Sequence, residues 1–433
     1  MTGQSDSIIG LVPYYVLGVL LRVGLWCLGP DLRDRVELST PLNSHKRLVE
    51  GVMMSKLGYD PYSGVIVHET PLVLRSYLFL QETAPKYLEL MYILMDIATA
   101  IILQVNAKAV VQHLFNCEKF KKVHEEAKEI TISSSYLEHV PKYTVIGFLC
   151  NPYIIANCVA KTTTTFHNLI LSIVLLSMSK KQRFIGAFFL AISAYLNLYT
   201  IMLLVPLVFS LSSTSTLREF VKTGIIFICF LTGLLLWSYS VSGSNFIHSV
   251  YGFILTVPEL TPNMGLFWYF FTEMFEHFRL FFICTFQVNV FIYLIPLSIK
   301  LRKEPYLLSL TLLSLISIFK SYPSYGDVGF YLSLLSASLH LVPFMKQTFF
   351  VANMLLVTTV LGPILFQLWI YNGSANANYF FAINLVFGTA QIFLVTDVLF
   401  AQVKREFFLD HGFTKKNEQG KLEQTKLKLN SSF

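Results

Sequence analysis

The chain has 433 residues, of which 54% are hydrophobic and only 14% charged, against roughly a quarter charged in ordinary soluble domains. No single core absorbs so many apolar stretches of about 20 residues, each long enough to cross about 30 Å of hydrocarbon, so a soluble fold is excluded and an all-α polytopic membrane protein is predicted. The net charge of +7 comes with no aromatic-and-basic binding module, which removes nucleic acid as a partner.

In chain order, the first apolar run, 8–28, has no basic leader and no small-residue cleavage site. Cys27-Leu28-Gly29-Pro30-Asp31 leads straight into a charged loop, so the run reads as a retained first span. Further spans are read at 87–107, 142–160, 166–179, 184–198, 199–213, 223–241, 280–299, 306–319, 327–343, 348–370 and 380–402, about twelve with the first. A cytosolic N-terminus places most of the 33 Lys and Arg on the cytosolic side, including Lys119, Lys121, Lys122, Lys180, Lys181, Arg183, Lys300, Arg302 and Lys303, as the positive-inside bias requires. The basic exception, 30–86, is a long loop of the kind that translocates largely regardless of charge. This divides the chain into a multi-span domain, 1–403, and a polar cytosolic tail, 404–433, read as solvated and disordered. The luminal elements are then 30–86, 244–279, 320–326 and 371–379. Within the spans, Asp96 and Asp397 should face the bundle interior or a partner, since a central charge costs about 2.5–3.5 kcal/mol. Lys161 should snorkel to the luminal surface.

The first luminal loop, with "DLRDRVELSTPLNSHKRLVEG" and "YDPYSGVIVHETPL", offers Asp31, Asp34, Glu37, Glu50, Asp60 and Glu69 as carboxylates. None forms a DxD pair, His68-Glu69 lacks the second histidine of HExxH, and loop solvation is the default reading for such acids. No GxSxG, Walker, GxGxxG or metal-spaced Cys/His cluster occurs, and the six cysteines form no CxxC pair. The sequence therefore implies no cofactor, no metal and no local catalytic signature.

The stretch "TPNMGLFWYFFTEMFEHF", 261–278, is predicted as an amphipathic interface helix, with Thr261 as N-cap and Pro262 at the first helical position. On a 3.6-residue period Tyr269, Glu273, Glu276 and His277 share one face, opposite Phe267, Phe271, Met274, Phe275, Phe278 and Phe282. The two carboxylates either accept from an amine or glycan hydroxyl at the membrane surface, or pair with Arg279 or a neighbouring subunit. Acid–base catalysis ranks below both, because i,i+3 neighbours do not flank a substrate from opposite sides. Further on, "FKSYPSYGD" sets Lys320 and Asp327 at span ends around a proline turn. "YNGSANANYFFAIN" places the amides of Asn376 and Asn378 among Tyr371, Tyr379, Phe380 and Phe381, which suits either a plain turn or a glycolipid headgroup. The Asn372 sequon lies so near the membrane that it is expected to go unused.

Together "RVELSTPLNSHKRLVEG", "DPYSGVIVHETPL", "NPYIIANCVAK", "SVYGFILTVPELTPNMGLFWYFFTEMFEHF", "FKSYPSYGDV" and "LWIYNGSANANYFFAI" resemble, in order and spacing, the PIG-U family, the U subunits of the glycosylphosphatidylinositol (GPI) transamidase. The resemblance runs from about residue 30 to about 412. It implies a subunit of a five-chain endoplasmic reticulum complex that replaces a proprotein's C-terminal signal with a preassembled GPI lipid. The implied partners are the caspase-like catalytic subunit PIG-K, PIG-T, PIG-S and the GPI anchor attachment subunit, together with membrane lipids and GPI itself. It also implies a bundle similar to the GT-C glycosyltransferases. The frame around Glu50-Gly51 and Pro61-Tyr62 is kept here, but the acidic DxD of those enzymes is not. The resulting expectation is a non-catalytic chain that binds and presents GPI through Asn376, Asn378, Tyr379, Phe267, Trp268, Phe271, Glu273 and Glu276. The alternatives are a dolichol-phosphate-sugar-dependent glycosyltransferase and a pure assembly scaffold.

Overall fold

The computed structural model describes residues 10–121, 123–212, 216–412, 414–416 and 422–424. Its helices, in chain order, are α1 (Val12–Leu28), α2 (His45–Lys56), α3 (Pro71–Thr83), α4 (Leu88–Phe120), α5 (Ser134–Leu149) and α6 (Pro152–Val159). They continue with α7 (Thr164–Ser179), α8 (Arg183–Leu196), α9 (Leu204–Leu211), α10 (Thr216–Ser242), α11 (Phe253–Thr256) and α12 (Phe267–Glu273). The last are α13 (Arg279–Ile292), α14 (Leu294–Lys300), α15 (Pro305–Phe319), α16 (Tyr325–Leu334), α17 (Thr348–Ile370) and α18 (Ala377–His411). Among the described residues six helices are long and apolar enough to cross a membrane: Pro85–Phe120, Thr216–Ser242, Glu276–Lys300, Tyr325–Phe344, Thr348–Ile370 and Ala377–His411. Shorter apolar helices, among them Val12–Leu28, Thr164–Ser179, Arg183–Leu196 and Pro305–Phe319, complete an all-α polytopic bundle.

Several boundaries differ from the periodicity, each for a local reason. The span read at 142–160 is two helices, because Asn151 leaves the helical region and accepts from the Tyr153 amide while Pro152 opens α6. Such an Asn–Pro pair ends one helix and caps the next. The helix Ile247–Thr256, which opens with a π-helical turn, lies in a stretch read as luminal loop. The final helix continues past 402 to His411. Beyond it Thr414–Lys416 pairs antiparallel with Leu422–Gln424, a two-stranded addition that the polar composition did not announce. The tail after 424, read as disordered, lies outside the described residues.

The in-span charges are matched inside the chain. Arg22 of α1 donates its Nε to Asp96 of α4 at 2.8 Å, and the guanidinium also donates to the carbonyls of Gly18 and Leu149. Both members of the pair are 1% exposed, so the ion pair lies wholly in the bundle. Asp397 accepts from the backbone amides of Lys346 and Gln347 at 2.8–3.1 Å. It therefore supplies a side-chain acceptor to the two backbone amides just before α17. Lys161 reaches Glu89 at 2.6 Å with its ammonium over the Trp26 ring, in keeping with a snorkelling position.

Candidate functional site

The aromatic stretch folds otherwise than its periodicity suggests. Thr261 caps nothing; its hydroxyl donates to Glu259. The helix begins only at Phe267, because the side chain of Asn263 accepts from the Gly265 amide at 2.7 Å, a local turn that competes with helix. Gly265 is needed there: a Cβ would lie 2.7 Å from Pro323. The loop is tied to the bundle by Asn384, whose Nδ2 donates to the Asn263 carbonyl at 2.6 Å. Met274 is extended and ends the helix after two turns, so Glu276 and His277 belong to a separate 3₁₀ turn and not to the face that carries Tyr269 and Glu273.

The short helix α12 presents two faces with different partners. On one, Trp268 stacks on Trp369 with ring centres 5.9 Å apart and contacts Phe380 and Phe381. Tyr269 stacks on Phe381 at 4.2 Å and donates its hydroxyl to Asn378 Oδ1 at 2.5 Å. On the other, Phe267 and Phe271 pack against Phe286 of α13. Phe267, Trp268 and Phe271 are all buried in the chain's own core. These rings are near neighbours in sequence, but the fold sends Trp268 to the α17–α18 pair and Phe267 and Phe271 to α13, because the two-turn helix is sandwiched between them.

The polar members of the expected site divide as well. Asn376 is the N-cap of α18: its Oδ1 accepts from the Asn378 and Tyr379 amides at 3.1 and 3.3 Å. Asn378 is exposed and meets Tyr269, while Tyr379 is 59% exposed beside it. Glu273 is exposed at the end of α12. Glu276 is exposed and lies 3.7 Å from Arg279, whose Nη2 donates to the Val257 carbonyl. That anchoring is consistent with Val257 holding a left-handed φ of 47°, a costly conformation for a β-branched residue. The fold thus brings Tyr269, Asn376, Asn378 and Tyr379 together, while Glu273 stays exposed at the end of α12 and Glu276 lies beside Arg279.

Two first-loop carboxylates depart from the solvation reading. Glu37 and Glu69 are 3% and 6% exposed. Burial pushes both carboxyls up, that of Glu69 to about 8, although Thr163 donates its hydroxyl to it at 2.5 Å. Glu69 borders a polar cavity of about 70 Å³ together with Asn43, His167, Lys320 and Asp327. Lys320 is spent on Asp327 at 2.6 Å, and Asp327 closes a capping box with Ser324. The space suits a few waters and is far below the roughly 300–1,000 Å³ of small-ligand pockets.

The family model described as GPI transamidase subunit PIG-U matches residues 16–387. This chain belongs to the PIG-U family. It is 38% identical over 425 residues to the human GPI-anchor transamidase component PIGU, covering 93% of this chain and 95% of that protein. Identity to the mouse GPI-anchor transamidase component PIGU is 39% over 414 residues, 92% of this chain and 94% of that protein. The GPI transamidase component GAB1 of Saccharomyces cerevisiae is 29% identical over 402 residues, 91% and 94% of the two chains. Beside the asparagines the structure adds Tyr269 and its stacking partner Phe381, while the fully buried Asn384 holds the Asn263 loop. Periodicity sets Tyr269 with Glu273, Glu276 and His277, of which the last two lie in a separate turn, and nothing local points to its partner 109 residues away.

Proposed function

We propose that this chain is a non-catalytic subunit of the GPI transamidase complex in the endoplasmic reticulum membrane, which binds the GPI lipid and presents it for attachment. The observation that carries this reading is the joining of α12 to the α17–α18 turn by the Tyr269–Asn378 hydrogen bond and the Tyr269–Phe381 stack. It supports a fixed polar surface at the luminal end of two spans. Asn378, Asn376 and the Tyr379 hydroxyl offer donors and acceptors to glycan or phosphate, and Glu273 accepts from an amine. The acyl chains run along the outer face of α18, where Leu385 and Val386 are exposed. Trp268 supports that wall from within, whereas Phe267 and Phe271 turn to α13. The chemistry itself is assigned to another subunit, the caspase-like PIG-K, with PIG-T, PIG-S and the GPI anchor attachment subunit as further partners.

A glycosyltransferase reading needs a first-loop carboxylate open to a sugar. The burial of Glu37 and the small cavity beside Glu69 remove those two acids from that role, while Asp34 and Glu50 line an open cavity of about 400 Å³ with Lys46 and Arg47.

The test replaces the chain in cells with the Asn376→Ala/Asn378→Ala variant and follows a GPI-anchored surface reporter together with co-purification of the complex. GPI attachment falls while the complex is recovered intact. Loss of the complex itself would make these residues a structural turn.

A further inference from the structure

The second face of α12 borders a groove that the glycolipid surface leaves unused. Leu266 and Phe267 form its luminal end, α13 lines its length with Cys284, Val288 and Asn289, and Phe319 at the end of α15 closes its far side, enclosing about 610 Å³. The lining is mostly apolar, as a membrane-facing groove should be, and Thr285 and Asn289 are the exceptions. Asn289 lies ten residues beyond Arg279 and eleven before Lys300. At 1.5 Å per residue, roughly 15 Å of helix on either side puts its amide near the middle of an about 30 Å hydrocarbon layer.

Its polar neighbours on the same helix are satisfied within the chain. Gln287 turns inward, donating to the Ile254 carbonyl and to Ser321 while accepting from Tyr199. The Thr285 hydroxyl folds back onto the Phe281 carbonyl. Asn289 is only half-buried, and among the described residues its side chain has no hydrogen-bond partner. Leaving an amide unbonded in hydrocarbon is expensive. A lipid tail cannot relieve that cost at this depth, because lipid polar atoms lie at the interface. A transmembrane helix can, through a polar side chain that approaches over the small Cys284 and Thr285, which line the groove on one side of Asn289 between the larger Phe281, Phe286 and Ile292.

We propose that this groove is the docking site for one transmembrane helix of a different polypeptide, which supplies a hydrogen-bonding side chain to Asn289. The proposal rests on the membrane placement of α13 and not on the glycolipid surface, so either stands or fails alone.

The experiment places the photoreactive residue p-benzoylphenylalanine at Val288, 58% exposed, in the full chain within native membranes. Irradiation yields an adduct with a different membrane polypeptide, mapping to an apolar span. The adduct falls about fivefold or more in an Asn289→Leu background and returns in Asn289→Gln, with unchanged levels of the chain. Cys284→Trp fills the groove without touching the amide and removes the adduct too, which keeps the test decisive if Asn289→Leu lowers expression. Adducts with lipid alone, adducts with a second copy of this chain, or a yield indifferent to Asn289→Leu overturn the proposal.

Discussion

Tyr269 and Asn378 meet through a 2.5 Å hydrogen bond across 109 positions of sequence, and that contact turns a two-turn aromatic helix and an interhelical turn into one surface. Tyr269→Phe removes the hydroxyl but keeps the stack on Phe381. We expect GPI attachment to fall by less than in Asn378→Ala, with unchanged complex recovery; equal and complete loss in both would mean that the bond positions the turn and does not tune a ligand surface. Flow cytometry of a GPI-anchored reporter gives the comparison directly.

Trp268 should behave differently from the exposed asparagines. It is 3% exposed between Trp369, Phe380 and Phe381. Trp268→Ala leaves a cavity worth about 3–5 kcal/mol of stability, so chain level and melting temperature in detergent should drop together with attachment. Attachment lost at a normal melting temperature would instead give Trp268 a direct ligand role.

The Arg22–Asp96 pair supplies a test of the bundle. Removing one partner from a buried pair leaves an uncompensated charge, at about 3–5 kcal/mol. Arg22→Leu and Asp96→Leu should each abolish stable accumulation, and the double variant should recover much of it because two apolar side chains replace a pair that is 1% exposed on both sides. A double variant no better than either single would show that the carbonyls of Gly18 and Leu149 depend on the guanidinium.

Glu69 gives the luminal cap a pH dependence. Its carboxyl is raised by burial from an ordinary 4.5 to about 8, so between those values the folded chain holds a proton that the unfolded chain has released. Stability therefore declines as pH rises through that window and levels off above about 8. Melting temperatures measured from pH 5 to 8 should fall in the native chain and fall less in Glu69→Gln, with the largest gain for the variant at pH 8. Parallel curves for the two proteins would remove Glu69 as the cause.

The sequence by itself determined the class of this protein. Apolar runs of span length leave no other solution for the backbone than helices across a bilayer, and a central charge such as Asp96 or Asp397 must find a partner inside, as both do. Composition reached the luminal segments only in part, since it read Glu37 and Glu69 as solvated when the fold buries them. Helical periodicity went wrong at 261–278 because Asn263 bonds its own backbone and Gly265 sits on Pro323, contacts that outweigh the period of the rings that follow. What tertiary structure alone decided was partnership. It set Trp268 and Tyr269 toward α18 and Phe267 and Phe271 toward α13, and it left Asn289 facing a groove. Side-chain periodicity reports which residues share a face, but the neighbour that covers the face is chosen by packing between segments a hundred residues apart.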